Sequence, residues 1–162
     1  SIDDARGKRF VERKKIKLDV EGDSVLSEVY IPANKEKINF YKRVSSLSGP
    51  AEAKEFIDEL TKLYSKPPKS VMNIIILGVM KNLGQNLNIR KITIGEKGAG
   101  IYFYDDSCLG NARIIDAISR MKDYAVLFPT SPPCVMFKKE GVSLSARIKL
   151  VMEFLTLANK QS

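Results

Sequence analysis

The chain of 162 residues contains no histidine and no tryptophan. Without histidine, the sequence lacks the usual general base of enzymes and the most common side-chain ligand of metal ions. The absence also excludes every catalytic arrangement in which a histidine activates a serine or a cysteine. We therefore expect no hydrolytic or acyl-transfer chemistry of these types.

Cysteine is also scarce, since Cys108 and Cys134 are the only two and no CxxC spacing occurs. Structural zinc sites use closely spaced ligand pairs, so the sequence argues against one. Two isolated thiols are typical of a reducing compartment, and we expect reduced cysteines in a cytoplasmic protein. The sequence leaves a disulfide open, because pairing depends on the distance between the two Cα atoms.

Long hydrophobic runs are missing as well. The longest, Ile74–Met80, is interrupted by Gly78 and is far shorter than the roughly 20 residues that a membrane span needs. No apolar segment follows the basic residues at the N-terminus, so a signal peptide is not predicted. Because the chain begins with serine, we expect it to be part of a longer protein.

The charge is unevenly distributed. Lys and Arg outnumber Asp and Glu by 27 to 19, and the first 17 residues alone carry seven basic and three acidic side chains. A basic excess favours nucleic acid or an acidic protein as the partner. Since half of the excess lies near the N-terminus, we predict a polar basic arm at residues 1–13 and a folded domain over residues 14–162.

Hydrophobic periodicity predicts helices and strands in one domain. Alternation over Lys15–Val20 predicts a strand, and Ser27–Ile31, which precedes Pro32, is predicted to be extended. A stretch that is apolar nearly all round, Val71–Leu87, predicts a central core helix. The remaining helices are predicted over Asn34–Leu47, Ala51–Tyr64, Asn111–Met121 and a last segment capped by Ser143.

Two hairpins complete the pattern. Ile89–Ile94 and Gly100–Tyr104 are predicted strands, as are Tyr124–Phe128 and Cys134–Lys138. The glycine-rich link between the first two resembles a phosphate-binding loop, but no Lys-Ser or Lys-Thr pair and no helix follows it, so we predict a turn. The order strand, three helices, hairpin, helix, hairpin, helix predicts a single α+β domain whose helices pack with small antiparallel β-hairpins.

The helical spacing also predicts which side chains face inward. In the first helix these are Ile38, Tyr41, Val44 and Ser45, and in the second they are Ala53, Phe56, Ile57, Leu60, Leu63 and Tyr64. The opposite face of the second helix carries Glu55, Asp58, Glu59 and Lys62, which we call the charged stripe. Its spacing is typical either of an exposed face with weak ion pairs from Lys62 to Asp58 and Glu59 or of a contact surface.

No nucleophile, base and oxyanion-binding group come together in this pattern. Composition and spacing alone therefore favour an interaction or regulatory domain that is not itself an enzyme, with no cofactor or metal site.

Five short motifs occur in order along the chain: Glu28–Pro32 (EVYIP), Phe40–Arg43 (FYKR), Glu59–Leu60, Leu87–Ile92 (LNIRKI) and Glu96–Phe103 (EKGAGIYF). Their order and spacing resemble the C-terminal domain of the bacterial transcription-repair coupling factor, over roughly Lys14 to Lys160. The chain departs from the family pattern in three places. The stretch between Pro32 and Tyr41 is shorter, Lys62 stands where the family has an acidic residue, and Asn88 stands where it has glycine.

The resemblance implies a function. The parent would be an ATP-dependent translocase on double-stranded DNA that displaces stalled RNA polymerase and recruits nucleotide-excision repair through UvrA. Its motor, with ATP and Mg, would lie outside this chain. The domain would pack on the UvrB-like N-terminal module of the same chain and mask the UvrA-binding surface until polymerase is engaged. The implied contact is the charged stripe, in which Glu59 matches the family pattern.

Two alternatives remain open from the sequence. A nucleic-acid-binding module could use the basic arm, with affinity that falls steeply as salt rises. An enzyme would need a catalytic pocket built without histidine.

Overall fold

The elements follow one another in the predicted order. The computed structural model describes residues 14–160, so the predicted arm at residues 1–13 lies outside the described residues. Two short 3-10 helices, Gln85–Leu87 and Asp106–Gly110, link longer elements. The longer elements are β1 (Lys17–Val20), α1 (Asn34–Ser45), α2 (Pro50–Leu63), α3 (Lys69–Gly84), β2 (Ile89–Gly95), β3 (Gly98–Phe103), α4 (Ala112–Arg120), β4 (Ala125–Phe128), β5 (Cys134–Phe137) and α5 (Leu144–Ala158).

The strands form one sheet in the order β1-β2-β3-β5-β4. Both predicted hairpins are confirmed, and they pair with each other through β3 and β5 rather than remaining separate. The first strand adds to the edge in parallel with β2, because the long connection through α1, α2 and α3 returns the chain to the same end of the sheet. The α+β class is therefore confirmed, with a mixed sheet.

Helices cover one face of this sheet. The third, fourth and fifth helices contact the strands, and the strand residues beneath them, such as Ile92, Ile101, Phe103 and Val135, are fully buried. The alternate strand residues, such as Lys91, Tyr102 and Phe128, are half-buried or exposed, so within residues 14–160 no helix covers the opposite face, which we call the open face. The alternation of side chains along each strand therefore separates a core side from a solvent side.

The prediction that the third helix is central is confirmed. Val71, Ile75 and Val79 of α3 have no exposed surface, and the helix contacts α1, α2, α5 and β1. At Gly78 the helix α1 comes so close that a Cβ atom would lie 2.2 Å from Cγ1 of Val44. A glycine is therefore required for this approach.

The predicted inner face of α1 is only partly right. Val44 is buried as predicted, but Ile38 and Tyr41 are 57% and 50% exposed, and Phe40 is buried in their place. The close contact of Val44 with Gly78 fixes the rotation of the helix about its own axis. That rotation turns Phe40 inward and leaves Ile38 and Tyr41 in solvent.

The prediction that Ser27–Ile31 is extended is wrong. The backbone N–H groups of Tyr30 and Ile31 both donate to the carbonyl oxygen of Ser27 at 3.1 Å, which makes a turn. The Ser27 hydroxyl oxygen also accepts a hydrogen bond from the N–H of Val29 at 3.1 Å. A serine that bonds to the backbone two residues on stabilises this type of turn.

Arg147 of α5 is a buried cation that the sequence analysis did not identify. The residue is 6% exposed. Its Nη1 donates to the carbonyl oxygens of Gly95 and Glu96 at 2.8 and 2.6 Å, and its Nη2 donates to that of Lys139 at 3.0 Å. The guanidinium group thus joins α5 to the turn of the β2–β3 hairpin and to the segment after β5.

We predict that Arg147→Met destabilises the domain by about 2–3 kcal/mol, because three carbonyl groups lose a charged donor that methionine cannot replace. Lys149→Met is the matched control, since Lys149 lies on the exposed side of the same helix. Urea denaturation measures the free energy of unfolding. Equal stability of the two variants would contradict the structural role of Arg147.

We predict that Gly78→Ala destabilises the domain by about 1–2 kcal/mol, because overpacking outweighs the gain in helix propensity. The double variant Gly78→Ala, Val44→Ala should lose clearly less than the sum of the two single losses, since alanine at position 44 makes room for the new methyl group. The same denaturation measurement tests this. Additive losses would show that the two positions do not meet.

Candidate interdomain surface

Three of the five motifs, EVYIP, FYKR and Glu59–Leu60, meet at one corner of the fold, where α1, α2 and the turn before α1 pack together. The hydroxyl group of Tyr30 donates to the carbonyl oxygen of Ser65 at 2.7 Å, and its ring lies 5.7 Å from that of Tyr64. Ile31 is buried beside them. The turn therefore holds the C-terminal end of α2. Burial of Tyr30 also raises the pKa of its hydroxyl group.

The same tyrosine pair explains a second departure from the predicted faces. Phe56 and Leu60 of α2 are buried as predicted, whereas Leu63 is largely exposed. Tyr64 packs inward at this end of the helix, against Tyr30. At this end of α2 the inward position is therefore taken by Tyr64 and not by Leu63.

A bidentate ion pair joins α1 to α2. Nη1 of Arg43 donates to Oε1 of Glu59 at 2.9 Å, and Nη2 donates to Oε2 at 2.5 Å. The guanidinium group also lies 4.9 Å from the centre of the Phe56 ring. The hydrogen bonds from Arg43 lower the pKa of the Glu59 carboxyl group and, in return, raise the pKa of Arg43.

The predicted ion pairs within the charged stripe are not formed. Within residues 14–160, no ion pair of 4.0 Å or less joins Lys62 to Asp58 or Glu59, and Glu59 pairs with Arg43 instead. The arginine fork offers two parallel donors, which a lysine three or four residues away cannot match. The sequence analysis missed this partner, although Arg43 ends the FYKR motif.

The other stripe residues point into solvent. Glu55, Asp58 and Lys62 are exposed. Their side chains form no hydrogen bond and no ion pair of 4.0 Å or less with another described residue, although Glu55 acts electrostatically on Arg43 and Lys62 acts on Glu59. Glu52, one turn earlier, accepts a hydrogen bond from the N–H of Ser48 at 2.9 Å and stabilises the start of the helix, a bond that lowers its pKa. The uncommitted carboxylates of the stripe are therefore those of Glu55 and Asp58.

A groove of about 500 Å³ lies at the turn of the β2–β3 hairpin. Charges of both signs line it, among them those of Glu21, Lys97 and Lys139. The Glu21 carboxylate accepts a hydrogen bond from the N–H of Glu96 at 2.9 Å, which fixes the turn. The glycine-rich link is thus the hairpin turn that the sequence predicts, with Gly98 at a φ of 147°.

Neither metal ligation nor a membrane span is indicated by the part of the chain that the structure describes. No group of three or more Cys, Asp or Glu side chains there could hold a metal ion, and no helix there is long and apolar enough to cross a membrane.

Cys108 and Cys134 are not joined to each other. Burial raises the pKa of the Cys108 thiol, so this cysteine is less readily ionised than a free one.

Comparisons with known proteins identify the family. A sequence model of the TRCF domain matches residues 20–113, more than half of the chain. The chain belongs to this family. It is 18% identical to the transcription-repair-coupling factor of Borreliella burgdorferi over 97% of its length, and 25% identical to that of Escherichia coli K12 over 82%. A shorter match to the Bacillus subtilis protein, over 43% of the chain, is 34% identical.

The chain spans only a small part of these relatives, 14% of the Borreliella burgdorferi protein and 11% of the Escherichia coli protein. The fold is that of the C-terminal domain of transcription-repair coupling factor. A crystal structure of that domain superposes with a TM-score of 0.72 at 14% identity, covering 90% of this chain and 92% of the other.

The fold explains why asparagine can replace the family's glycine at position 88. Asn88 has a left-handed backbone with φ of 59°, a conformation that glycine and asparagine adopt most readily. Its Nδ2 donates to Oδ1 of Asp105 at 2.7 Å and to Oγ of Ser107 at 3.1 Å. The hydrogen bonds from Ser107 and then Asn88 lower the pKa of Asp105.

We predict that Glu59→Gln lowers the melting temperature at neutral pH and that the difference from the wild type disappears in acid. A carboxyl group with a lowered folded-state pKa stabilises the fold above its ordinary pKa of 4.5. This contribution is lost as the pH falls through the lowered value. Asp58→Asn, one residue earlier and exposed, is the control. A difference that persists at pH 2 would contradict the ion pair as its cause.

Proposed function

We propose that the domain is the regulatory, autoinhibitory module of a transcription-repair coupling factor. It packs through the charged stripe on the UvrB-like N-terminal module of the same chain and masks the UvrA-binding surface until stalled RNA polymerase is engaged. The parent is an ATP-dependent DNA translocase in transcription-coupled nucleotide-excision repair. Its motor, with ATP and Mg, lies outside this chain. Family membership supports this assignment.

The observation that carries the proposal is which carboxylates of α2 are paired and which are exposed. Arg43 holds Glu59 in a fixed position, and Glu55 and Asp58 lie beside it, exposed and without a side-chain hydrogen bond or close ion pair to a described residue. Charged surfaces of this kind give specificity and reversible contacts more than raw affinity. A basic patch on the UvrB-like module would complement these two carboxylates.

Lys62 adds a positive charge to the proposed contact surface. It is exposed at the C-terminal end of the stripe, in the place where the family carries an acidic residue. Like charges that face each other across an interface cost several kcal/mol. We therefore expect the UvrB-like module of this parent to present a carboxylate opposite Lys62.

A weak contact is sufficient for such a switch. Two modules of one chain have an effective concentration in the millimolar range when the linker between them is flexible and short. The closed form is then populated without a tight interface, and binding of polymerase elsewhere shifts the population to the open form. A polar, charged stripe suits this reversible packing better than an apolar patch.

The test is a calorimetric titration of the domain with the UvrB-like module of its own parent, carried to near-millimolar concentration. We expect saturable binding that the double variant Glu55→Lys, Asp58→Lys weakens at least tenfold. The control is the double variant Glu140→Lys, Glu153→Lys, which makes the same change of charge at two exposed residues outside the stripe. Thermal unfolding of each variant confirms that it is folded.

Equal binding by the stripe variant and the control would refute the stripe as the contact. Glu59→Lys is measured separately, because it also breaks the ion pair with Arg43, and it should weaken binding with some loss of stability. Lys62→Glu should weaken binding as well if a carboxylate faces it. Absence of any binding would refute the proposed packing on the UvrB-like module.

Binding of duplex DNA by residues 1–13 stays a prediction, because the arm lies outside the described residues. Deletion of the arm should then abolish a salt-sensitive affinity for duplex DNA.

A further inference from the structure

The open face of the sheet carries two rows of side chains. The strand register places them side by side across all five strands, from β1 at one edge to β4 at the other. Charged and polar residues occupy β1 and β2, and aromatic, aliphatic and sulfur-containing residues occupy β3, β5 and β4. The rows are Lys17, Lys91, Tyr102, Cys134, Phe128 and Asp19, Thr93, Gly100, Met136, Val126.

Exposure in the apolar half of this face is greatest at the edge strand β4, whereas Tyr102, Cys134 and Met136 are half-buried. Val126 and Phe128 of the edge strand β4 are 52% and 44% exposed. Tyr124, which precedes them on the same side, is also exposed. A contiguous apolar patch that is rimmed by charges marks an interaction site on a soluble domain.

The Tyr102 ring lies along the surface of the sheet. A Cβ atom at Gly100 would be 3.2 Å from the Tyr102 hydroxyl oxygen, 3.3 Å from its Cε2 and 2.9 Å from Sδ of Met136. The ring therefore reaches back along its own strand and covers Gly100, which is buried beneath it. The ring itself is half-buried, so part of it is accessible to a ligand.

Lysines accompany the aromatic rings on this face. Lys91, Lys138 and Lys14 have no ion pair of 4.0 Å or less to a described residue. Two acidic groups are near: Asp19, on the outer strand β1, and Asp105, close to Lys14. The Nζ-to-centroid distances are 4.9 Å for Lys14 and Tyr104, 5.4 Å for Lys91 and Tyr102, and 5.9 Å for Lys138 and Tyr124.

We propose that the open face binds single-stranded DNA. Bases stack on Tyr102 and Phe128, and phosphates lie near Lys17, Lys91 and Lys138. The two rings occupy the same row two strands apart, which is roughly 10 Å and within reach of nearby bases of one strand. Aromatic stacking platforms beside basic groups are the usual means of binding unpaired nucleic acid.

The chemistry between the rings favours DNA over RNA. Cys134 lies between Tyr102 and Phe128, and Met136 lies in the next row. Thiol and thioether groups are poor hydrogen-bond partners, so they do not recognise a 2′-hydroxyl group, which is the feature that distinguishes RNA. Deoxyribose and the methyl group of thymine pack well on such a surface. Oligothymidylate is therefore the best probe.

The experiment measures fluorescence anisotropy of a labelled 15-nucleotide oligothymidylate with the full 162-residue chain at low salt. We expect Phe128→Ala to weaken binding roughly tenfold, since one stacked base contributes about 1–3 kcal/mol. Tyr41→Ala removes an equally exposed ring from α1 and should have no effect. Ultraviolet crosslinking should place thymine on Tyr102 or Phe128.

The lysines are tested through salt dependence. Lys17→Gln and Lys91→Gln should each reduce the slope of log affinity against log salt by about 0.7, the value for one phosphate contact on a single strand. Lys149→Gln, on the exposed side of α5, is the control. Residues 1–13 are present in every variant, so their electrostatic contribution is constant.

Several outcomes would overturn the proposal. These are no binding at low salt, wild-type affinity of Phe128→Ala, or equal affinity for a 15-base-pair duplex. Equal affinity for oligouridylate would overturn the assignment to DNA. Equal affinity for an acidic decapeptide would show that the face recognises charge rather than bases. Phe128→Ala should leave binding to the UvrB-like module unchanged, so this proposal and the regulatory one can fail separately.

Discussion

The close approach of α1 to α3 is the constraint on which the candidate surface depends. Gly78 is the one position where the backbone of α3 admits Val44, and Asn82 one turn later donates hydrogen bonds to the carbonyl oxygens of Val44 and Leu47 at 3.1 and 2.8 Å. These contacts fix the position of α1 along α3 and its rotation about its own axis. Arg43 is thereby placed where its guanidinium group meets Glu59.

The domain presents two surfaces of different character. Helix α2 offers carboxylates that an ion pair and a stable helix hold in place, which suits a reversible contact with a basic protein surface. The open face of the sheet offers flat rings, sulfur atoms and lysines. Arg147 secures the helix-covered side of the same sheet. These two surfaces lie on different elements of the domain, the first on α2 and the second on the strands.

The sequence predicts which residues form the charged stripe, but it does not predict which residues they pair with. The spacing of Glu55, Asp58 and Glu59 places them on one helix face, since residues three and four apart are neighbours on a helix. Their partners depend on which other element packs there. Lys62 is the cation nearest to Glu59 in sequence, yet Arg43, sixteen residues away from Glu59, forms the ion pair with it.

The sequence by itself determined the local structure: the buried face of α2 apart from Leu63, the central helix α3, both hairpins and the serine cap of α5. Each depends on periodicity or on turn chemistry within a few residues. Only the tertiary structure decided the parallel pairing of β1 with β2, the rotation of α1 and the burial of Arg147. Such features depend on contacts between residues far apart in the chain, and hydrophobic periodicity carries no information about which elements will meet.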